Sequence, residues 1–568
     1  MIIFIVGKVV FVVFKKGLGI FYNASLLFIL AFVNLLILTS ILFLCKISIT
    51  VFHLPISLIL AIIELYFIKR DNFKTIIASV LTFIFVFFSA CLICGHIYDD
   101  SADGNGYHKF AVGLLKNGWN PIYDSQESVI KKLDLNSDEN VWVEHYPKAT
   151  WIYGASVYKI TNNIETAKTY NVLILFIVFF IIAYLINKFY EKKISSLLIA
   201  LSACLFPIIW QQIFCLYIDG FMGLILFLLV IYFYLFINND NNKEYFFISS
   251  ALMIIIINIK FTGLFYAGIF CGGYYIYYLI TKIRSKNYNS LVKTTVAFAF
   301  VVLIALLIVG SNSYVKNIVV KHNPLYPIMG EDKIDIITNQ QPKSFNEKSP
   351  IEKNFYSIFS YTANYATSFN VGEPELKIPF TSSKDVELNR MAEDTRIGGF
   401  GIYFSGIFII SVIVILISLV MFVVRKNYVK LVFIGVPFVI TLLLMFFFDE
   451  SWWARYAPQT YFVIVMAIFI LLTSNKRKFY ICGIVLLLVC CYNSALIAKH
   501  MANVKLPISG QIRMNLENLE GKSINLEMIG FPGTLFNLKD HHIKYTIKEK
   551  VKNKQPLYIG KNYYEKTK

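Results

Sequence analysis

Charge is scarce in this sequence. Asp, Glu, Lys and Arg make up 15% of its 568 residues, against about 25% in an ordinary soluble domain. With 57% of residues hydrophobic and a mean hydropathy of +0.62, that shortage excludes a cytosolic enzyme. It also excludes disorder, and a soluble chain of this size splits into domains without becoming more apolar. Cysteine is missing from every long polar stretch. Cys45, Cys91, Cys94, Cys204, Cys215, Cys271, Cys482, Cys490 and Cys491 all fall in apolar runs, which excludes a disulfide framework. Cys91 and Cys94 have redox spacing but read as packing residues. No Walker lysine motif is present, which argues against an ATP-driven pump. The apolar run 1–14 lacks a small-residue cleavage site, so no cleavable signal peptide is expected.

What remains is a polytopic membrane protein. A spanning helix needs about 20 apolar residues. Runs near that length lie at 21–44, 49–68, 76–97, 170–186, 195–210, 218–237, 245–257, 261–280, 292–310, 401–424, 431–448, 456–473 and 479–498. The expected fold is all-α with about 13 transmembrane helices. The net charge of +18 would suggest nucleic acid in a soluble protein. Here it reads as basic residues retained in cytoplasmic loops, with some composition bias toward Ile, Lys, Asn, Phe and Tyr. Alternate loops carry Lys15/Lys16, Lys69/Arg70/Lys74, Lys188/Lys192/Lys193, Lys243, Lys282/Arg284/Lys286, Arg425/Lys426/Lys430 and Lys476/Arg477/Lys478. All seven fall on one side of the span pattern.

Three polar segments then lie on the outer side: 98–169, 311–400 and the tail 499–568. The chain divides into a transmembrane domain, 1–498, and an extracytoplasmic C-terminal domain, 499–568. The tail alternates polar and apolar residues with glycine turns, as an α/β or β-rich unit does. Two amphipathic stretches in the first outer segment, 107–116 and 151–160, suit helices lying in the membrane interface.

Charge at membrane depth costs roughly 2.5–3.5 kcal/mol per residue, so charged residues at span edges are functional candidates. Asp99 and Asp100 read as solvated boundary residues. Asp103 differs, because it precedes Gly104-Asn105-Gly106 and a helix. Asp219 and Lys260 each open a span with apolar neighbours. Arg455 follows Trp452 and Trp453 and precedes Tyr456; it suits either an aromatic-belt anchor or an anion grip. Glu144 and His145 form a possible cation-ligating pair. These groups come from distant parts of the chain to one membrane level, which suggests a single outward-facing site.

The first outer segment reads Asp103-Gly-Asn-Gly-Tyr107-His108, then Gly118-Trp119-Asn120-Pro121, then Glu144-His145-Tyr146-Pro147-Lys148 and Trp151. It resembles the GT-C superfamily of membrane glycosyltransferases, most nearly the lipid A aminoarabinose transferases and protein O-mannosyltransferases. Asp103 and Tyr107 match the acid and tyrosine that open the first outer loop in those enzymes. Gly118, Trp119 and Pro121 match their second element. Two positions depart: Pro147 precedes Lys148 where relatives place Lys before a Pro pair, and Gly104 stands where relatives carry Glu. The sequence around Asn317, Pro324–Pro327 and Asp335 is similar to a subgroup with bacterial surface-polysaccharide roles.

The resemblance implies a polyprenyl-phosphate-linked sugar as donor and a glycan, lipid or protein hydroxyl as acceptor. An outer-face site has no supply of nucleotide sugars, so an activated sugar must arrive there on a lipid. Asp103 is then the general base. Lys148, Lys260, Arg455 and Tyr456 hold the donor phosphate. Tyr107, His108 and Asp219 orient substrate. Glu144 and His145 would hold a divalent cation, as in some relatives. The expected setting is the bacterial cytoplasmic membrane with the site facing outside, and no nucleic-acid partner. Two rivals remain. A polysaccharide polymerase or ligase would carry a large, late, Arg-rich loop. A lipid or sugar transporter would show inverted repeats and helices broken at mid-membrane.

Overall fold

The computed structural model describes residues 17–135, 137–336, 338–364, 372–560 and 562–566. The run 1–14 and the Lys15/Lys16 pair lie outside them. Among the described residues, nine helices are long and apolar enough to cross a membrane: Leu18–Leu44, Phe73–Gly95, Ile164–Tyr190, Asp219–Asn238, Phe261–Arg284, Tyr288–Asn312, Phe404–Val424, Tyr428–Phe447 and Arg477–Leu519. The chain is thus a helical membrane protein. Its outermost apolar side chains point away from any protein partner, as Phe85, Val424 and Phe447 show at 73%, 76% and 80% exposure. A water-soluble surface avoids large patches of this kind.

Four further runs read as spans fold into shorter helices. His53–Lys69 and Lys243–Ile259 have 17 residues each, and Lys193–Cys204 and Phe462–Thr473 have 12. Proline accounts for two of the short lengths. Pro207 has no N–H to continue the preceding helix and instead starts the separate turn Pro207–Gln212. Pro458 likewise opens a 3₁₀ turn before Phe462.

One end of the bundle is built from tight basic turns. Asn72, Asn242, Asn287 and Asn427 each cap the helix that follows, accepting a backbone N–H two or three residues on. An asparagine cap satisfies a donor that the first helical turn leaves without a partner. Arg70, Lys286 and Lys426 adopt left-handed backbone angles just before these caps or within the same turns. These loops meet one another: Lys69 pairs with Glu244 at 2.9 Å, Lys282 with Asp240 at 2.7 Å, and Lys192 donates to Thr473 O and Asn475 Oδ1. With Lys188 donating to Tyr245 Oη and Tyr234 to Val429 O, the basic loops within the described residues share one end.

The long polar segments gather at the opposite end. Asn120 donates to Phe43 O, Asn163 to Gly95 O, and Lys148 to Asn312 O, so the loop 98–169 closes over several helix ends. Its helices do not lie in a lipid interface. Lys109–Lys116 is buried from Lys109 to Leu115, and Ala149–Thr161 from Ala149 to Tyr158. They pack on each other and on the C-terminal segment, which consumes the apolar faces meant for lipid.

The expected boundary at 498/499 falls inside Arg477–Leu519, which runs 43 residues without a break. Beyond it come β1 (Ser523–Glu527), the helix Thr534–Asp540, β2 (Lys544–Ile547), β3 (Gln555–Pro556) and β4 (Tyr563–Lys566). The sheet order is β2-β1-β4-β3, with β1 parallel to β2 and antiparallel to β4. Thr534–Asp540 is the crossover that a parallel β1–β2 pair requires, and it sits against the loop bearing Asp103.

Candidate active site

Asp103 opens a single π-helical turn, Gly104–His108, that runs into the helix from Lys109. Such turns widen a helix by one residue and recur at functional sites. Gly104 is needed there because a Cβ would lie 2.2 Å from Asp99 Oδ2 and 2.3 Å from Ser101 Oγ. That packing explains why no larger residue follows Asp103. Asp99 is not a solvated boundary residue as its position suggested. It is fully buried, accepting from Ser101 N and from Leu216 N at 2.8 Å each. Burial pushes its carboxyl above the usual range.

Beneath the turn lies a sealed ion cluster. Lys109 pairs with Glu165 at 2.7 Å, Lys168 binds the same carboxylate, and none of the three side chains is exposed. Asn537, from the C-terminal helix, accepts from Lys109 at 3.0 Å and donates to Glu165 at 2.8 Å. Buried charges of this kind are tolerated only when paired and fully hydrogen-bonded. Asn537 completes the set, so the C-terminal segment helps fix the Asp103 loop.

Above the turn, seven of the sequence candidates line one small cavity of about 100 Å³: Asp103, Tyr107, His108, Asp219, Lys260, Arg455 and Tyr456. Arg455 Nη1 lies 2.9 Å from Asp103 Oδ2 and 3.2 Å from Asp394 Oδ1. Its guanidinium stacks 4.6 Å from the Trp453 ring centre, and its Nε is buried without a hydrogen-bond partner. Burial alone would weaken the charge on Arg455, but Asp394 and Asp103 hold its pKa above the usual value. Lys260 pairs with Asp219 at 2.9 Å and sits 4.1 Å over the Tyr456 ring. His108 Nδ1 accepts from Trp151 Nε1 at 2.8 Å, and burial pushes its pKa down to about 4. It is therefore a neutral imidazole at physiological pH.

Three candidates lie elsewhere. Lys148 is buried with its ammonium on the carbonyls of Glu144, Tyr146 and Asn312, at 3.0, 2.8 and 3.2 Å. Burial pushes its pKa down to about 7. Those carbonyls consume its donors, so it ties loop 144–148 to the bundle and does not reach the cavity. Glu144 is bound by Lys316 and by Gln126 Nε2 at 2.7 Å. Burial would raise its carboxyl, but Lys316 and Gln126 hold it below the usual range. His145 Nδ1 is held by Asn317 Oδ1 at 2.8 Å. Both side chains are committed to neighbours, and among the described residues no group of three His, Cys, Asp or Glu forms a metal-binding cluster. The Glu144/His145 pair does not fit a divalent cation.

Several members of the site carry no signal in the sequence. Asp394 accepts from Arg396 Nε at 2.6 Å, and Arg396 Nη2 donates to Gln340 Oε1 at 2.9 Å. Both lie in the polar segment 311–400, where charges are ordinary. A second cavity of about 680 Å³ opens beside the first and shares Asp103, Gln340 and Arg455 with it. The Asp103–Arg455 pair thus stands at the junction of the two. A separate apolar cavity of about 650 Å³, between Tyr190, Tyr234, Lys430 and Phe469 near the basic loops, contains none of these groups.

Chemically, the junction offers a half-exposed carboxylate beside a buried guanidinium, with a lysine and aromatic faces around them. That combination can hold an anion and take a proton within one small space. No protein-family model, curated protein or solved structure matches the chain.

Proposed function

We propose that this protein is a GT-C-type membrane glycosyltransferase that moves a sugar from a polyprenyl-phosphate donor to an acceptor hydroxyl. The observation that carries the reading is the Asp103–Arg455 pair at the meeting of two cavities, 2.9 Å apart. A carboxylate held only by a guanidinium is released when a stronger anion takes the guanidinium. The donor phosphate would occupy the small cavity, bind Arg455 and Lys260, and free Asp103 for the acceptor. Arg suits this role because its fork of donors matches phosphate oxygens.

In the transfer step the acceptor oxygen bonds to the anomeric carbon as that carbon's bond to the phosphate oxygen breaks. The acceptor proton passes to Asp103, and the bonding electron pair leaves on polyprenyl phosphate. Arg455 and Lys260 stabilise the charge that develops on the leaving phosphate. One displacement inverts the anomeric centre. Asp219 holds Lys260 in place, Tyr456 lies beneath its ammonium, and Tyr107 and His108 line the wall. The four shorter helices would complete thirteen crossings, putting the site outside and the basic loops in the cytoplasm. A bacterial cytoplasmic membrane suits that arrangement.

The test is transfer in proteoliposomes with a panel of polyprenyl-phosphate sugars. Asp103→Asn should lower turnover by about 10²–10⁴-fold without changing the melting temperature of the solubilised protein. Arg455→Lys should raise the donor KM and leave the acceptor KM unchanged. Near-wild-type turnover for Asp103→Asn removes Asp103 from the mechanism.

A further inference from the structure

We infer that the second cavity is a saccharide-binding site, so that the acceptor is a glycan and not a lipid or a protein; this rests on the transferase reading above. The cavity of about 680 Å³ is large enough for more than one sugar ring, and Asp103 is part of its lining.

Its wall chemistry argues for a neutral polyhydroxylated ligand. Lys505 bridges Asp100 at 2.7 Å and Glu393 at 3.3 Å, while Arg396 and Arg455 share Asp394. Each charge already has a counter-charge, so the wall has no strong excess of one sign to attract a polyanion or a basic peptide. The carboxylates and cations that line the wall bring acceptors and N–H donors together. Hydroxyls, which donate and accept together, satisfy both. A lipid tail would need a continuous apolar channel, and here seven charged side chains interrupt Met391, Met501, Val504 and Ile508 along the wall.

The aromatic lining argues the same way. Phe531 and Tyr558 come from two loops of the C-terminal segment and both line the cavity. Both hold left-handed backbone angles, φ 63° and 64°. A bulky residue at positive φ is a strained outlier, and such strain persists where the surrounding structure and function require it. Tyr558 is also 48% exposed, so core packing does not account for its placement. An aromatic side chain in the lining of a hydroxyl-binding cavity suits the C–H face of a pyranose ring, which the ring's negative π face attracts.

The experiment is binding to the full-length protein in lipid nanodiscs, followed by calorimetry. The probes are polyprenyl phosphate alone, malto-, chito- and manno-oligosaccharides of two to four sugars, and a Ser/Thr-rich peptide. At least one oligosaccharide should bind. Tyr558→Leu should weaken it about tenfold, and Tyr558→Phe should restore it. Polyprenyl phosphate affinity should be unchanged by either variant and lowered by Arg455→Ala. Because Tyr558 lies at the surface, these variants should keep the wild-type melting temperature. Binding of polyprenyl phosphate with no oligosaccharide bound, or with the peptide bound and displaced by no sugar, overturns this inference while the donor reading stands. Oligosaccharide binding that depends on Tyr558, with no polyprenyl phosphate bound, supports the saccharide site and removes the donor reading instead.

Discussion

At the scale of single residues, Asp540 has the clearest consequence for pH. It joins the C-terminal segment to the loop 98–169, binding Tyr158 and accepting from Ile164 N at 2.8 Å. Burial pushes its pKa up to about 6 from the ordinary carboxylate value. A raised carboxyl pKa means the folded state binds its proton more tightly than the unfolded state does. The cost of burying the charge is absent below the unfolded value, grows through the window up to about pH 6, and is complete above it. Ionisation of Asp540 should therefore subtract up to about 3 kcal/mol of stability as pH rises from about 4 to about 6. Asp540→Asn should flatten that part of the profile. Melting temperature against pH for the two proteins checks this, and parallel profiles would remove Asp540 as the cause. The same scale shows what the sequence could reveal. Asp103, Asp219, Lys260, Arg455 and Tyr456 were legible because a charge or its aromatic neighbour at a span edge stands out against apolar surroundings. Asp394 and Arg396 were not, since nothing local separates them from other charges in a polar loop. Lys148 lies outside the cavity for a reason equally invisible in one dimension: three carbonyls from two segments surround its ammonium.

Among the elements, the helix Thr534–Asp540 bears most directly on the site. Phe536 is fully buried and fits over Gly113, where an added Cβ would lie 2.2 Å from the ring. Gly113→Ala should therefore push the C-terminal helix away from the Asp103 loop, costing about 1–3 kcal/mol as overpacking does. Phe536→Leu alone should cost a comparable amount through lost packing. Combined, the two changes should destabilise less than their sum, because the smaller side chain makes room for the methyl group. A double-mutant cycle on chemical denaturation measures that coupling, and strict additivity would mean that the two residues do not share a contact. Helix content was legible from hydropathy because the lipid requirement acts on each segment by itself. The docking of Lys109–Lys116 and Ala149–Thr161 was not. An amphipathic face is the same whether lipid or protein covers it, and here Phe536 and its neighbours cover it.

For the whole molecule, the division into a basic end and an end bearing the site makes a topological prediction. Ser285 lies in a basic loop and Ser382 in the polar segment at the other end, and both are exposed. In a background with Cys45 and Cys482 replaced, Ser382→Cys should react with a membrane-impermeant maleimide on intact cells. Ser285→Cys should react only after the membrane is permeabilised. Labelling of both from the same side would overturn the proposed orientation.

The helix Arg477–Leu519 gives this division a mechanical side. At 1.5 Å per residue its 43 residues extend about 65 Å, roughly twice the hydrocarbon thickness of a bilayer. Its first half is a membrane span. Its second half carries the sheet and places Ser509 on Tyr98 N at 2.8 Å. Pro507 removes one rung of the backbone ladder without ending the helix. The last span and the sheet whose loops set Phe531 and Tyr558 in the second cavity are consequently one backbone piece with no linker between them.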